Sequence, residues 1–543
     1  MSSPSPATAP TESASEESTT PPPAEPRNPA GPAFRRGAIA LPSIVAGIGL
    51  ALSLPPWGFW ILAFPSAGLL WWRLAGIGPR ARLWAGWLAG LGLYVPGLAW
   101  ARSFTIPGAM VLIAVEALFV AVACLAVPPR GVVGRALAFP AAMTLAEALR
   151  LTWPFGGLPI GGVFLGQADG PVLGVARLGG PLALTFVVYL GGVALASLVE
   201  AAFRTTGDRG LPTATRWRTG AAALLAVLVV VVVGGLAPDG GPSVGTVATA
   251  AVQGGGARGF RKSQIDPATV LDAQLAATQR MQQLDHGHAP ALVLWPEDVV
   301  SLDTELNNSP EKAVLAELAR RLHTTLVVGI TETVSSTAFQ NEAVAFGPDG
   351  SVVARYEKVH RVPFGEYVPD RSFFAHLGNL SAVPLDAIPG TGSGLMTTPV
   401  APLGAMISFE VFYGNRGRPS VRAGAQLLIV PTNTSSYGTA QVPTQEVAAS
   451  EVQAVQQGRD LLQAAPTGYS AAVTNRGVLV SRSTLGARQV LFATLSRRVG
   501  WTIYVRYGDL PVLLLGTLGL LGGWLLGRRR RPVGRHRSTP TTG

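Results

Sequence analysis

The chain has one cysteine in 543 residues. A lone Cys124 excludes an intramolecular disulfide and any thiolate-based metal cluster. Charge is scarce as well: 13% of residues are Asp, Glu, Lys or Arg against 48% hydrophobic, and the mean hydropathy is +0.35. The usual ligand patterns are also missing. His286 and His288 have no cysteine or acidic set beside them, and His323, His360 and His376 are scattered, so no zinc spacing forms. GGGARG at 254–259 lacks the lysine and Ser/Thr that end a phosphate-binding loop. Residues 1–34 have no apolar core near their start; rich in Ser, Thr, Pro, Glu and Ala, they read as a disordered cytoplasmic tail and not a cleavable signal peptide.

What is present is blocked hydrophobicity, in a chain too long for one ordinary core. Seven apolar stretches precede residue 240, at 37–56, 57–73, 82–100, 106–128, 132–149, 176–199 and 219–236. An eighth runs over 508–527. Each is near the roughly 20 residues that cross a bilayer. Arginines flank them: Arg35 and Arg36, Arg80 and Arg82, Arg130 and Arg135, then Arg204, Arg209, Arg216 and Arg218, and finally Arg528, Arg529, Arg530 and Arg531. The positive-inside rule then places both termini in the cytoplasm and 237–507 outside. The net charge of +11 sits largely at these borders, which suits anionic headgroups and gives no reason to expect nucleic acid. The expected domains are a tail (1–34), a seven-helix membrane domain (35–236), an extracytoplasmic domain (237–507), an eighth span (508–527) and a basic cytoplasmic tail (528–543).

The outer domain changes period. GTVATAAVQG, ALVLWPE, TLVVGI, NEAVAFGPDG with SVVARYEK, AMISFE and AQLLIVPTN read as strands. PATVLDAQLAATQRMQQL and SPEKAVLAELARRL read as helices, the second N-capped by Ser309. Asp349-Gly350 marks a hairpin. Strands alternating with helices predict an α/β domain. Glu297 then falls at a strand end after Trp295-Pro296, Lys358 near the end of another, and Ser408 within or near the end of AMISFE.

Those three contexts, WPED, YEKVHRVPFGEYVP and ISFEVFYG, resemble the nitrilase (carbon–nitrogen hydrolase) superfamily over residues 245–500. With seven spans before and one after, the whole chain is similar to the apolipoprotein N-acyltransferase family. The resemblance implies an α-β-β-α sandwich, Glu297 as general base, Lys358 as stabiliser of the developing oxyanion, Glu366 and Glu410 as supports, and Ser408 at the nucleophile position, with the Phe409 N–H as second oxyanion donor. It further implies a phospholipid acyl donor, a diacylglyceryl-cysteine lipoprotein acceptor, no metal or other cofactor, and a monomer in the bacterial cytoplasmic membrane. One departure matters: the family nucleophile is cysteine. A thiol ionises near pH 8.5, whereas a hydroxyl is a weak nucleophile without a well-matched base. The chain as written is therefore expected to be impaired.

Lipid access is expected from the loop 151–172, with Trp153, Phe155 and Phe164, and from a lid at 369–378 carrying Phe373 and Phe374. Glu116 and Glu147 fall inside spans and should hydrogen-bond in the bundle interior or touch substrate. Two other functions remain open: a membrane-anchored amidase and a non-catalytic lipid- or lipoprotein-binding protein. A transporter fits less well, because the spans show no clear inverted repeat.

Overall fold

A segment in lipid must satisfy its own backbone, which a helix does within itself. The computed structural model describes residues 1–3, 32–203, 213–256, 265–284, 289–376, 380–437 and 439–528. Its apolar stretches form α1 (Pro32–Ser53), α2 (Ala63–Arg73), α3 (Pro79–Gly97), α4 (Ile106–Ala126), α5 (Val132–Arg150), α6 (Ala176–Phe203) and α7 (Thr213–Leu236), all before residue 240. Among the described residues five helices are long and apolar enough to cross a membrane: α4, α5, α6 with the turn before it, α7 and the helix at Leu510–Gly527. Each of the eight expected segments contains a helix, but α2 has only 11 residues, α1 is a shorter apolar helix over Ala40–Ser53, and α3, at 19 residues, is not apolar enough. Arg204, Arg209, Arg529, Arg530, Arg531, His286, His288 and the tail at 4–31 lie outside the described residues.

Three border arginines, Arg82, Arg135 and Arg216, are buried instead of facing headgroups. Arg135 donates to the Trp71 carbonyl at 2.5 Å and lies 4.6 Å over the Trp71 ring, and Arg216 is buried 3.9 Å from Glu200. Glu116 and Glu147 take the interior role. Both pair with the buried Arg150, at 3.2 Å and 2.8 Å.

The polar domain runs β1 (Ser243–Gln253), α8 (Pro267–Leu284), β2 (Leu292–Leu294), β3 (Val300–Leu302), α9 (Glu311–Leu322), β4 (Thr325–Ser335), β5 (Ala338–Phe346) and β6 (Val352–Glu357). It continues through α10 (Arg371–Ala375), β7 (Asp386–Ala387), β8 (Leu395–Thr397), β9 (Pro402–Ala405), α11 (Gly414–Arg422), β10 (Leu427–Pro431) and α12 (Gln441–Gln457). It ends with β11 (Leu461–Ala464), β12 (Ala471–Val473), β13 (Leu479–Arg482), β14 (Gln489–Arg498) and α13 (Ile503–Tyr507), before the spanning α14 (Leu510–Arg528). One sheet has the order β14-β1-β2-β4-β5-β6, with β3 on β4 and β7 on β5; the other is β13-β12-β11-β10-β9-β8.

Two apolar layers follow from the strand alternation. Val247, Leu292, Leu294, Val327, Leu403, Ile429 and Leu462 pack between the sheets. Val293, Val328 and Val344 point the other way, onto Ala277, Leu315 and Leu322 of α8 and α9. The second sheet is covered by α11 and α12, and there the core does not stop. Val442, Val447, Val452 and Val455 of α12 share one apolar cluster with Leu50, Val163, Val172 and Leu184 of the membrane helices and loops. The sandwich therefore has helix layers on both sides, one of them buried against the membrane region.

Two sequence expectations need correction. AMISFE is a strand only to Ala405; Ser408–Phe412 is a 3₁₀ turn. Ser309 does not cap α9, which starts after Pro310 with no side-chain cap bond, because the preceding turn Leu306–Asn308 has already fixed the entry of the chain. The hairpin at Asp349-Gly350 is present between β5 and β6, with Gly350 at φ +78°.

Candidate active site

Strand ends bring the polar groups together. Glu297 follows β2 and is buried. Its approach to β4 depends on Gly329, where a Cβ would stand 2.4 Å from the Glu297 Cα. Lys358, the residue after β6, is equally buried and donates from Nζ to Glu297 Oε1 at 2.8 Å and to Glu366 Oε1 at 2.7 Å. Asn341 of β5 completes the ring. Its Nδ2 donates to the same two oxygens at 2.8 Å and 2.9 Å. Glu366 also accepts from Val362 N at 2.7 Å, which ties the motif's loop to its own lysine.

Burial pushes the Glu297 carboxyl upward, the Lys358 ammonium pulls it back, and Glu366 adds to the rise; the net direction is up. Burial acts to lower Lys358, but the two carboxylates outweigh it and keep the ammonium charged. An ammonium has three donors. Two go to carboxylates, which leaves one direction for an incoming oxygen.

Ser408 occupies φ +50°, a left-handed conformation uncommon outside glycine and asparagine. This left-handed residue opens the turn that follows the end of β9. The turn is pinned by Glu410, which is fully buried. Its Oε2 accepts from Ile407 N at 2.8 Å, and its Oε1 accepts from Val359 N and His360 N, both at 2.9 Å. Tyr356 OH donates to the same carboxylate at 2.9 Å. One buried carboxylate thus bridges the backbone on the Ser408 side to the backbone after Lys358. Glu410 acts on the peptide chain, and Glu366 is the acid that touches Lys358.

His360 is not built as a base. It stacks on Tyr413 with ring centroids 3.9 Å apart, and burial, with Arg416 and Lys358 adding to it, lowers it to about 4.

The expected lipid-contact residues divide. Phe155 meets Phe364 at 5.8 Å and Phe374 at 6.2 Å between ring centroids, and Phe374 meets Phe373 at 5.2 Å. The loop and the lid are therefore one aromatic cluster, with Phe155, Phe364 and Phe373 exposed. Trp153 is exposed but packs edge-on to Phe119 of α4, apart from that cluster. Phe164 is 1% exposed and belongs to the core, so it is not a boundary aromatic; the glycines around it let the loop fold inward over Glu147 and Arg150.

The loop is held from both sides. Arg150 of α5 donates to the Leu158, Pro159 and Ile160 carbonyls. Tyr413 OH donates to Gly157 O at 2.8 Å. Two glutamines one turn apart on α12 finish the seam. Gln441 donates to Pro96 O and Gly97 O and accepts from Trp100 N. Gln445 donates to Pro55 O and accepts from Gly161 N.

Residues 46–194 match the family model described as the apolipoprotein N-acyltransferase N-terminal domain, and 252–503 match that of carbon-nitrogen hydrolase. An apolipoprotein N-acyltransferase of Mycolicibacterium smegmatis is 32% identical over 461 residues, covering 81% of this chain and 77% of that protein. The chain belongs to the apolipoprotein N-acyltransferase family. A second member, from Azotobacter vinelandii, is 29% identical over 520 residues, covering 90% and 95%. A solved carbon-nitrogen hydrolase of Helicobacter pylori covers 53% of this chain and 95% of its own, at 19% identity and a TM-score of 0.34. In this apolipoprotein N-acyltransferase relative the single cysteine, Cys124, lies in α4, outside the sheet domain.

The sequence reading missed Asn341, Tyr356, Phe364 and Tyr437. Asn341 carried a signal: it is a polar residue opening a run whose other members are core. Tyr437 packs at 5.3 Å on Trp100 and 5.6 Å on Phe104, from the loop between α3 and α4. Nothing local marks that pairing.

Proposed function

We propose that this chain transfers the sn-1 acyl group of a phospholipid, through a covalent acyl-enzyme, to the α-amine of a diacylglyceryl-cysteine at the N-terminus of bacterial apolipoproteins. The observation that carries the reading is the bridge just described: a Glu297–Lys358–Glu366 cluster fixed through Glu410 to the strained turn of Ser408. The proposed frame has eight spans, both termini in the cytoplasm and residues 237–507 outside, with the helices α1 to α3 completing the count. The boundaries at 35–236 and 508–527 belong to the same proposal.

The steps balance on the residues named. Glu297 takes the Ser408 Oγ proton as the oxygen attacks the ester carbonyl carbon. The third donor of Lys358, with the Phe409 N–H, stabilises the oxyanion. The bond to the glycerol oxygen breaks, Glu297 returns the proton to that oxygen, and a lysophospholipid leaves. The amine then attacks the acyl-enzyme, its proton passes through Glu297 to Ser408 Oγ, and the N-acylated product departs. Covalent catalysis divides one hard substitution into two easier ones.

Serine slows both halves: Glu297 must first deprotonate a hydroxyl where the family has a thiol, and the amine must then displace an alkoxide from an ester in place of a thiolate from a thioester. The test compares the full chain with its Ser408→Cys form on phospholipid vesicles and a diacylglyceryl peptide, by intact mass and lipid-product analysis. Acylated peptide and lysophospholipid appearing with the thiol form support the reading. Failure of both forms under conditions where a relative works rejects it, and release of ammonia from simple amides in place of acyl transfer favours an amidase.

A further inference from the structure

Apolar side chains on a polar domain's surface are ordinary when they stand singly, as Val314 does on α9. The hairpin between β12 and β13 breaks that pattern. Val478, Leu479 and Val480 are consecutive and are 59%, 36% and 51% exposed. Val478 leads into β13, the last strand of its sheet, whose outer edge has no strand paired to it among the described residues. A bare apolar edge strand invites association, so this one needs a cover.

Its place narrows the choice. The turn of the hairpin is fastened to the chain just beyond α7. Asn475 Nδ2 donates to Asp239 O at 2.7 Å, Arg476 Nε lies 3.4 Å from Asp239 Oδ2, and α7 ends at Leu236. A Cβ on Gly477 would collide with the side chain of Leu173, the first residue of the apolar span that includes α6. A second stretch reaches the same border. Gly500 N donates to Gly240 O at 2.8 Å and Arg498 donates to Gly241 O, so exposed Val499 and Trp501 also stand beside the end of α7. Charge agrees with that position. Arg476 and Arg482 flank the apolar run and are exposed, Arg422 lies 5.4 Å over the Trp501 ring, and the nearby Asp239 is already paired with Arg476.

We propose that the β12–β13 hairpin tip, with Val499 and Trp501, is a membrane contact of the polar domain. Its apolar side chains sit in the headgroup layer of the leaflet that faces the domain, where tryptophan is favoured, and its arginines pair with the phosphates of anionic phospholipid. The contact is made by segments other than those carrying Phe155, Phe364 and Phe373. The α12 seam joins the domain to membrane helices; this contact joins it to lipid. A second copy of the chain is a poorer cover, since pairing two β13 edges would place four arginines in one interface.

The experiment uses the full chain in nanodiscs of phosphatidylcholine and phosphatidylglycerol. Cys124 is buried, so Val478→Cys, Val480→Cys and the control Val314→Cys each offer the thiol that an environment-sensitive maleimide dye reaches. Dye at 478 and 480 should emit at shorter wavelength than dye at 314. It should lose most of its emission to phospholipid carrying a nitroxide near the headgroup end of an acyl chain, while dye at 314 loses little. Nitroxide phosphatidylglycerol should quench more than nitroxide phosphatidylcholine at equal content, and Arg476→Gln and Arg482→Gln should each lower that preference by about fivefold. Quenching at 478 and 480 no greater than at 314 overturns the proposal. A blue shift without quenching does so too, because protein then covers the strand. Equal quenching by the two nitroxide lipids overturns the pairing with anionic headgroups. Val499→Cys supplies an independent reading should a hairpin variant melt below the parent. The readout is independent of acyl transfer.

Discussion

Removing the acceptor at Glu410 should unlock the turn that carries Ser408. Three backbone N–H groups, those of Ile407, Val359 and His360, end on this one carboxylate, together with the Tyr356 hydroxyl. Glu410 is fully buried, away from bulk solvent. An unsatisfied buried donor costs about 1–3 kcal/mol. Glu410→Ala strands three of them, which sums to roughly 3–9 kcal/mol and rivals the ~5–15 kcal/mol that hold a typical domain together. That variant should not accumulate in folded form. Glu410→Gln is the sharper probe. Its amide oxygen can still serve Val359 and His360, but the NH₂ then faces the Ile407 N–H, so one donor is lost at about 1–3 kcal/mol. The expected outcome is a folded protein with a Tm lower by several degrees, and, in the Ser408→Cys background, a loss of acyl-enzyme formation much larger than the loss of stability. Thermal melts in detergent and intact-mass detection of the acyl adduct read the two effects separately. A Glu410→Ala protein that melts like the parent would refute the bridging role.

Lys358→Met should leave Glu297 and Glu366 side by side without their shared cation, destabilising the fold by about 3–5 kcal/mol and abolishing acyl transfer; melts and product analysis check this, and a stable, active variant contradicts it. Phe155→Ala removes the ring joining Phe364 to the loop, worth about 0.5–1.5 kcal/mol per aromatic pair. It should speed hydrogen exchange across 151–162 and raise the KM for donor lipid more than it lowers kcat; exchange rates equal to the parent's would count against the cluster. The Glu446 carboxyl, raised to about 8 when folded, binds a proton that the unfolded chain releases near pH 4. Its contribution is present below pH 4 and is lost as pH rises to 8. The stability difference between the parent and Glu446→Gln should therefore move against the parent by about 1.4 kcal/mol per pH unit in that window. Parallel stability–pH curves would show that the group titrates normally.

What could be read in advance was whatever the chain writes contiguously. WPED and YEKVHRVPFGEYVP hold Glu297, Lys358 and Glu366 in short motifs, and the three meet at 2.7–2.8 Å. Hydropathy marked all five of the long apolar helices among the described residues but counted three segments more: α2 has only 11 residues, α1 is a shorter apolar helix over Ala40–Ser53, and α3 opens on Arg80 and Arg82. Most contacts of Glu410 were invisible, since Val359 and His360 lie 51 and 50 residues away and only folding brings them near. The left-handed conformation of Ser408 was hidden too, as nothing in AMISFE forbids a straight strand. α12 misleads by composition. QVPTQEVAASEVQAVQQ has polar residues all around, yet every residue from Gln441 to Gln457 except Thr444 is buried. Sheet covers one face and membrane loops the other, so glutamines serve there as hydrogen-bond partners for loop carbonyls.

That division also explains how a hydroxyl can stand at the proposed nucleophile position without disturbing the architecture. Everything that fixes the turn acts on the backbone: Glu410 binds N–H groups, and the strand register beneath it is set by Leu403, Gly404 and Ala405 against β10. The φ of +50° is a demand on the main chain, and it falls equally on serine and cysteine. The ion cluster of Glu297, Lys358 and Glu366 closes on itself through Asn341 and needs no side chain from residue 408. The scaffold is therefore indifferent to whether residue 408 carries oxygen or sulfur. The difference between sulfur and oxygen is confined to the chemical step, where the proton to be removed belongs to a group many pKa units weaker as an acid.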